Sequence, residues 1–194
     1  MKRLYLLPLL ALALAACGAQ SLVIADLDVS SFVDAADREG DLVVPGSIQV
    51  YVPDADGDLL TPDGGRLVDQ VPVLDALSGL AVFVTVEVEN TGSGTLQATA
   101  EFRLAPAADS GNIYDGVQDV RLAEAGFQLD PGASRTITLE AVLTRGGAAM
   151  DLITGSGFRV GMKVAATGSS TVHYTITDFR LRLEQRPFDL IPND

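Results

Sequence analysis

Apolar side chains recur at every second position along much of this chain. In Leu80–Glu89 the valines at 82, 84, 86 and 88 share one face, while Glu87 and Glu89 lie on the other. Ser134–Thr144 repeats the pattern, with Ile137, Leu139, Ala141 and Leu143 alternating with Thr136, Thr138 and Glu140. A sustained period of two marks a strand with one buried face. The same reading predicts strands at Ser21–Val29, Leu42–Val52, Thr95–Leu104, Gln118–Leu122, Phe158–Ala166 and Thr171–Glu184. Turn residues punctuate them: Asn90-Thr91-Gly92-Ser93-Gly94, Asp130-Pro131-Gly132 and Thr167-Gly168-Ser169-Ser170. Pro45-Gly46 interrupts the second strand and predicts a bulge or an edge position there.

The last strand changes phase. Val172, Tyr174 and Ile176 share one face, but Phe179, Leu181 and Leu183 lie an odd number of residues further on. A bulge near Thr177-Asp178 returns all six to one side. Only Gly146–Gly155 looks helical, as a short turn through Ala148, Ala149, Met150, Leu152 and Ile153. The expected fold is therefore all-β: an antiparallel sandwich of about seven to nine strands with one short helix. The stretches VTVEVENTGSGTL and LDPGASRTITLEAVL resemble extracellular immunoglobulin-like domains of bacterial adhesins. That resemblance covers about a third of the chain. It implies an immunoglobulin-like sandwich and no particular activity.

The first residues break the pattern. MKRLYLLPLLALALAA opens with Lys2 and Arg3 and then carries no charge up to Ala16. A basic start, a short apolar run and small residues before a cut make a secretory signal. As a helix the run reaches roughly 20 Å against about 30 Å of hydrocarbon, too short for a comfortable span. Leu14-Ala15-Ala16-Cys17 resembles the lipobox of bacterial lipoprotein precursors. In that family the cysteine thiol receives diacylglyceryl, cleavage falls just before the cysteine, and the new amine is acylated, commonly with palmitate. Cys17 is the one cysteine of the chain, and lipidation explains a lone thiol in an exported protein. The division expected is a signal peptide at 1–16, a lipidated cysteine with a short tether at 17–21, and one domain at 22–194. Gly18 to Ser21 reach only about 13–14 Å when extended, which keeps the domain close to the headgroups. In enterobacterial lipoproteins an aspartate after the cysteine favours the inner membrane. Gly18 stands there in this chain, so the resemblance favours the outer membrane.

Charge narrows the partners. The 194 residues carry 13 basic and 26 acidic side chains, a net charge of −13, and loss of Lys2 and Arg3 makes it −15. Such a chain is repelled by nucleic acid and by anionic lipid. The expected partners are a membrane, held through lipid on Cys17, and an envelope protein of unknown identity.

Catalytic chemistry is poorly supplied. His173 is the one histidine and falls between Val172 and Tyr174 in a strand, so it points away from the core. No Gly-x-Ser-x-Gly elbow surrounds a serine; Gly92-Ser93-Gly94 and Gly155-Ser156-Gly157 are plain turns. Zinc and copper sites want several His or Cys ligands, which the chain lacks. A glycosidase needs two carboxylates across a cleft with aromatic faces. The chain has no Trp, and the tyrosines after the signal are Tyr51, Tyr114 and Tyr174. The sharpest ligand candidate is the loop 53–65, where Asp54, Asp56 and Asp58 fall at spacing two, as in calcium loops. An EF-hand-type loop then needs Gly sixth and Glu twelfth, and Leu59 and Gly65 occupy those places. A solvated, turn-rich loop is the favoured reading. The loop Asp109–Gly116 is a weaker candidate, and Phe188, Leu190 and Ile191 of the tail are expected to pack on the domain. No cofactor and no enzymatic activity are expected. The reading is a non-catalytic, lipid-anchored envelope protein, a structural or protein-interaction module. The alternative is an envelope lipoprotein that binds calcium or a small ligand. An apolar cavity of ligand size would point instead to a lipid carrier.

Overall fold

The computed structural model describes residues 22–33, 35–53, 57–69, 77–153 and 157–185. Leu14-Ala15-Ala16-Cys17, Asp54, Asp56, Gly155-Ser156 and the tail from 186 lie outside the described residues. Eight antiparallel strands form one sheet: β1 Val23–Asp28, β2 Glu39–Val52, β3 Arg66–Val68, β4 Leu77–Asn90, β5 Leu96–Pro106, β6 Val120–Leu129, β7 Ser134–Thr144 and β8 Phe158–Gln185. The helical turn expected near residue 150 is Ala148–Asp151; a second, Ala35–Arg38, and a 3-10 turn, Val29–Phe32, join β1 to β2. Among the described residues no helix is long and apolar enough to cross a membrane.

The spine is β8, a strand of 28 residues. One edge pairs first with β5, from Phe158↔Pro106 to Gly168↔Leu96, and then with β4, from Val172↔Asn90 to Gln185↔Leu77. The other edge carries β3, β2 and β1 in succession. Outside β5 lies β6, and outside β4 lies β7. The sheet is thus folded across its middle into two layers. Layer one holds β6, β5, the first half of β8 and the second half of β2. Layer two holds β7, β4, the second half of β8, the first half of β2, and β1.

Glycine makes the fold line. Gly46 of β2 and Gly168 of β8 are register partners, with φ of 131° and 140°, a region that side chains with a Cβ rarely adopt. At Gly168 a Cβ would also sit 2.5 Å from the carbonyl oxygen of Thr95. Two strands therefore pass through the corner unbroken. The expected turn at Thr167–Ser170 is corrected: it is a bend inside one strand, stabilised by the equal bend of its partner. The other two pairs, β4 with β5 and β6 with β7, are broken at the same line by loops 91–95 and 130–133.

Folding brings the two inward faces together. Val82, Val84, Val86 and Val88 are buried with Ile137, Leu139 and Leu143, as the alternation predicts, and Ala141 is partly buried. Phe102 of layer one meets Phe179 of layer two edge to face, with ring centroids 5.7 Å apart; such a contact adds to the burial of both rings. The predicted bulge is present: pairing shifts from Thr85↔Asp178 to Val86↔Ile176, which leaves Thr177 extra. Val172, Tyr174, Ile176, Phe179, Leu181 and Leu183 are consequently all buried. Among the described residues β2 pairs with β8 alone, so Pro45 sits on an edge strand, one of the two positions predicted for it. The strand expected at Gln118–Leu122 is displaced; it runs Val120–Leu129.

Candidate functional site

Asp58 is the described member of the aspartate trio. Its Oδ1 accepts the Leu60 amide at 3.0 Å, and its Oδ2 accepts the Thr61 hydroxyl at 2.8 Å. These bonds, the Thr61 hydroxyl first, hold its carboxyl below the usual range. Both oxygens act within the loop's own turn, so this residue behaves as an Asx-turn aspartate. Among the described residues no group of three His, Cys, Asp or Glu side chains is placed to hold a metal ion.

The second loop, after β5, is built into the fold. Asn112 Oδ1 accepts the Tyr114 amide at 2.9 Å, and the Ile113 amide donates to the Asp63 carbonyl at 3.0 Å. Ile113 and Tyr114 are thereby driven inward to form a small separate core with Tyr51 and Ala105. Tyr114 lies against Gly161, where a Cβ would come 2.2 Å from the phenol oxygen. Burial pushes the phenol far above its ordinary pKa. Burial also raises the carboxyl of Asp109, with Asp115 and Asp119 adding repulsion.

Sequence reasoning missed the ion pairs beneath this loop. Arg103 points outward from β5, where alternation predicts solvent. Instead its guanidinium bonds Asp119, whose side chain is fully buried, and Glu101 at 2.8 Å. Asp119 also accepts the Gly116 amide at 2.6 Å. Arg159 donates to the carbonyls of Ala107 and Gly64, each at 3.0 Å. These groups fasten two loops over layer one. These partners are all groups of the two loops and of β5.

His173 stands on the outer face of layer two, as alternation predicts. Its Nδ1 lies 3.0 Å from Asp41 Oδ1 and its Nε2 lies 3.4 Å from Glu39 Oε1. The hydrogen bond to Asp41 raises the imidazole pKa, and the charges of Glu39 and Glu89 add to this. Both ring nitrogens face carboxylates, an arrangement that favours imidazolium and leaves no nitrogen for a serine. Tyr51, Tyr114 and Tyr174 are each only 7% exposed, so none offers a sugar-stacking face.

Between the layers lies a cavity of about 60 Å³, lined by apolar side chains of both layers and by Tyr174. An engineered cavity of about 150 Å³ is what admits benzene. The space here is less than half of that.

No family model matches the chain, and no curated protein matches it. Among solved structures it superposes distantly on infectious bursal disease virus, Gx strain, with a TM-score of 0.41 and 12% identity over 87% of this chain and 38% of that one. PirA gives a TM-score of 0.36 and 14% identity over 74% of this chain and 96% of that one. The CBM22-1–GH10 modules of xylanase 10B from Clostridium thermocellum, solved with xylohexaose, give 0.34 and 11% over 77% of this chain and 27% of that one. The chain therefore spans well under half the length of the viral and xylanase chains.

Proposed function

We propose that the protein is a bacterial lipoprotein, held to an envelope membrane by lipid on Cys17, and that it works as a non-catalytic structural or protein-interaction module. The observation that carries this is the run Leu14-Ala15-Ala16-Cys17 behind a basic and apolar leader, five residues ahead of Leu22, the first described residue of the β domain. Permanent anchoring follows from two or three acyl chains, since each buried CH₂ adds roughly 0.8 kcal/mol and one chain alone is marginal. Gly18 supports the outer membrane over the inner. The chemistry of the domain supports a non-catalytic role: His173 faces carboxylates, Arg103 and Asp119 fasten a loop, and the tyrosines are packed away. The test is fractionation of cells producing the wild type and Cys17→Ser. The processed wild type should sediment with membranes, and the mutant should appear as uncleaved precursor or in soluble fractions. Equal membrane retention of processed mutant and wild type contradicts the reading.

A further inference from the structure

β1 is an outer strand that pairs only with the end of β8, Val23 opposite Gln185 and Ile24 opposite Glu184. Leu22, Val23 and Ile24 are 47%, 46% and 54% exposed. Successive strand residues point to opposite faces, so this end of β1 is apolar and half-exposed on both sides. Among the described residues the other exposed large apolar side chains, such as Val43, Val117 and Val142, are not part of such a run. Scattered single residues are ordinary on a protein surface, whereas a contiguous apolar run calls for a covering surface.

On the outer face of layer two the carboxylates are densest toward the corner. Beside Ile24 the register row continues through Glu184 and Gly79 to Thr144. In the next outward row Asp26 is paired with Arg182 at 2.9 Å. Glu39, Asp41, Glu87 and Glu89 gather instead around His173 and Thr175, near the corner. From Glu184 to His173 the strand covers roughly 35 Å at about 3.3 Å per residue. The half-exposed apolar strand end, with the Glu184 carboxylate beside it, is therefore well separated from the acidic cluster at the corner.

We propose that the Leu22–Ile24 end of β1 rests in the headgroup region of the bilayer, with layer two standing away from it and the acidic corner outermost. This rests on the lipid anchor at Cys17. Five chain steps separate Cys17 from Leu22, a reach of at most about 18 Å, so the first apolar residues stay within or just outside the interface. Their aliphatic character suits partial burial among headgroups, where Asp26 is matched by Arg182 and the Glu184 carboxylate can face the ammonium groups of zwitterionic lipid. The occupant is a largely zwitterionic lipid surface, because the acidic domain is repelled by anionic lipid.

The chain contains no Trp, so a single introduced indole reports its own surroundings. Ile24→Trp, Leu22→Trp and, as the distal control, Val43→Trp are made in the lipidated full-length protein and reconstituted in phosphatidylcholine–phosphatidylethanolamine vesicles carrying brominated acyl chains. The expected result is blue-shifted emission, quenched by bromine near the headgroup, at positions 24 and 22, with aqueous, unquenched emission at 43. Aqueous emission from positions 24 and 22 in vesicle-bound protein overturns the proposal. So does a blue shift without bromine quenching, which would mean that protein covers the strand end, either the chain's own segment after Gln185 or a second copy. Failure of the protein to sediment with vesicles at all would remove the lipid anchor itself, and the proposal with it.

Discussion

The hydroxyl of Ser170 donates to the side-chain oxygen of Asn90 across 80 residues of sequence, at the line where the sheet folds. Asn90 is wholly buried there. Its Oδ1 also accepts the Gly92 amide at 3.1 Å, and its Nδ2 donates to the carbonyls of Gly94 at 2.7 Å and Leu129 at 3.1 Å. The backbone joins the same knot: the Asn90 amide donates to Ala133 at 2.9 Å, and the Gly132 amide returns to the Asn90 carbonyl at 2.8 Å. One side chain thus closes the β4–β5 loop and ties it to β8 and to the end of β6, with its donors and acceptors all met.

Replacing Asn90 with Ala strands the Ser170 hydroxyl and two carbonyls in a buried place. A buried group left unsatisfied costs about 1–3 kcal/mol, so Asn90→Ala should destabilise the domain by about 2–4 kcal/mol. Urea unfolding with an unchanged m-value checks this. A loss below about 0.5 kcal/mol would show that the corner is held by backbone bonds alone.

The cores of the two layers are continuous. Val84 and Leu139 are each 2% exposed and are register partners. Val84→Ala or Leu139→Ala should cost about 1–4 kcal/mol, Leu139→Ala the more because it removes the larger volume. The same unfolding experiment reads both.

Asp41 holds the His173 imidazole by a hydrogen bond, and Glu39 and Glu89 add to the upward shift in its pKa. A group whose folded pKa lies above its unfolded value stabilises the fold fully below the unfolded value, about 6.5, and loses that contribution as pH rises through the folded value. Stability should therefore decline slightly from mildly acidic to mildly alkaline pH. Asp41→Asn should flatten the decline, and salt should weaken it, since the groups are exposed. An NMR titration of His173 checks the sign, with an apparent pKa above 6.5 in the wild type and a lower one in Asp41→Asn.

Asp58 caps its own turn, and Leu59 and Gly65 stand where a calcium loop needs its Gly and Glu. The melting temperature should be the same in millimolar calcium and in excess chelator. A ligand at a hundredfold excess over Kd would raise stability by about 2.7 kcal/mol. A rise of several degrees, abolished by Asp56→Asn, would restore the calcium alternative.

Much of the fold was legible because alternation is written locally. β4 and β7 are read directly, and the bulge at Thr177 follows from a phase change between six apolar residues. The continuity of β8 was not legible. Thr167-Gly168-Ser169-Ser170 has turn composition, and only the matching bend at Gly46, more than a hundred residues earlier, keeps it in a strand. β6 was displaced because Ala123, Ala125 and Gly126 give a faint alternation. The Arg103–Asp119 pair carried no local signal at all: Arg103 faces outward, and what buries it is a loop that returns over the sheet. The proposed lipobox rests on adjacent residues alone, Leu14 to Cys17, and makes no use of the fold.

Intact mass spectrometry of the N-terminal peptide from membrane-extracted protein tests lipid anchoring most directly. The predicted result is a peptide that begins at Cys17 and carries diacylglyceryl on sulfur, with or without a further acyl chain on the amine. A peptide with an unmodified Cys17, or one that retains residues before it in fully processed protein, would contradict the account.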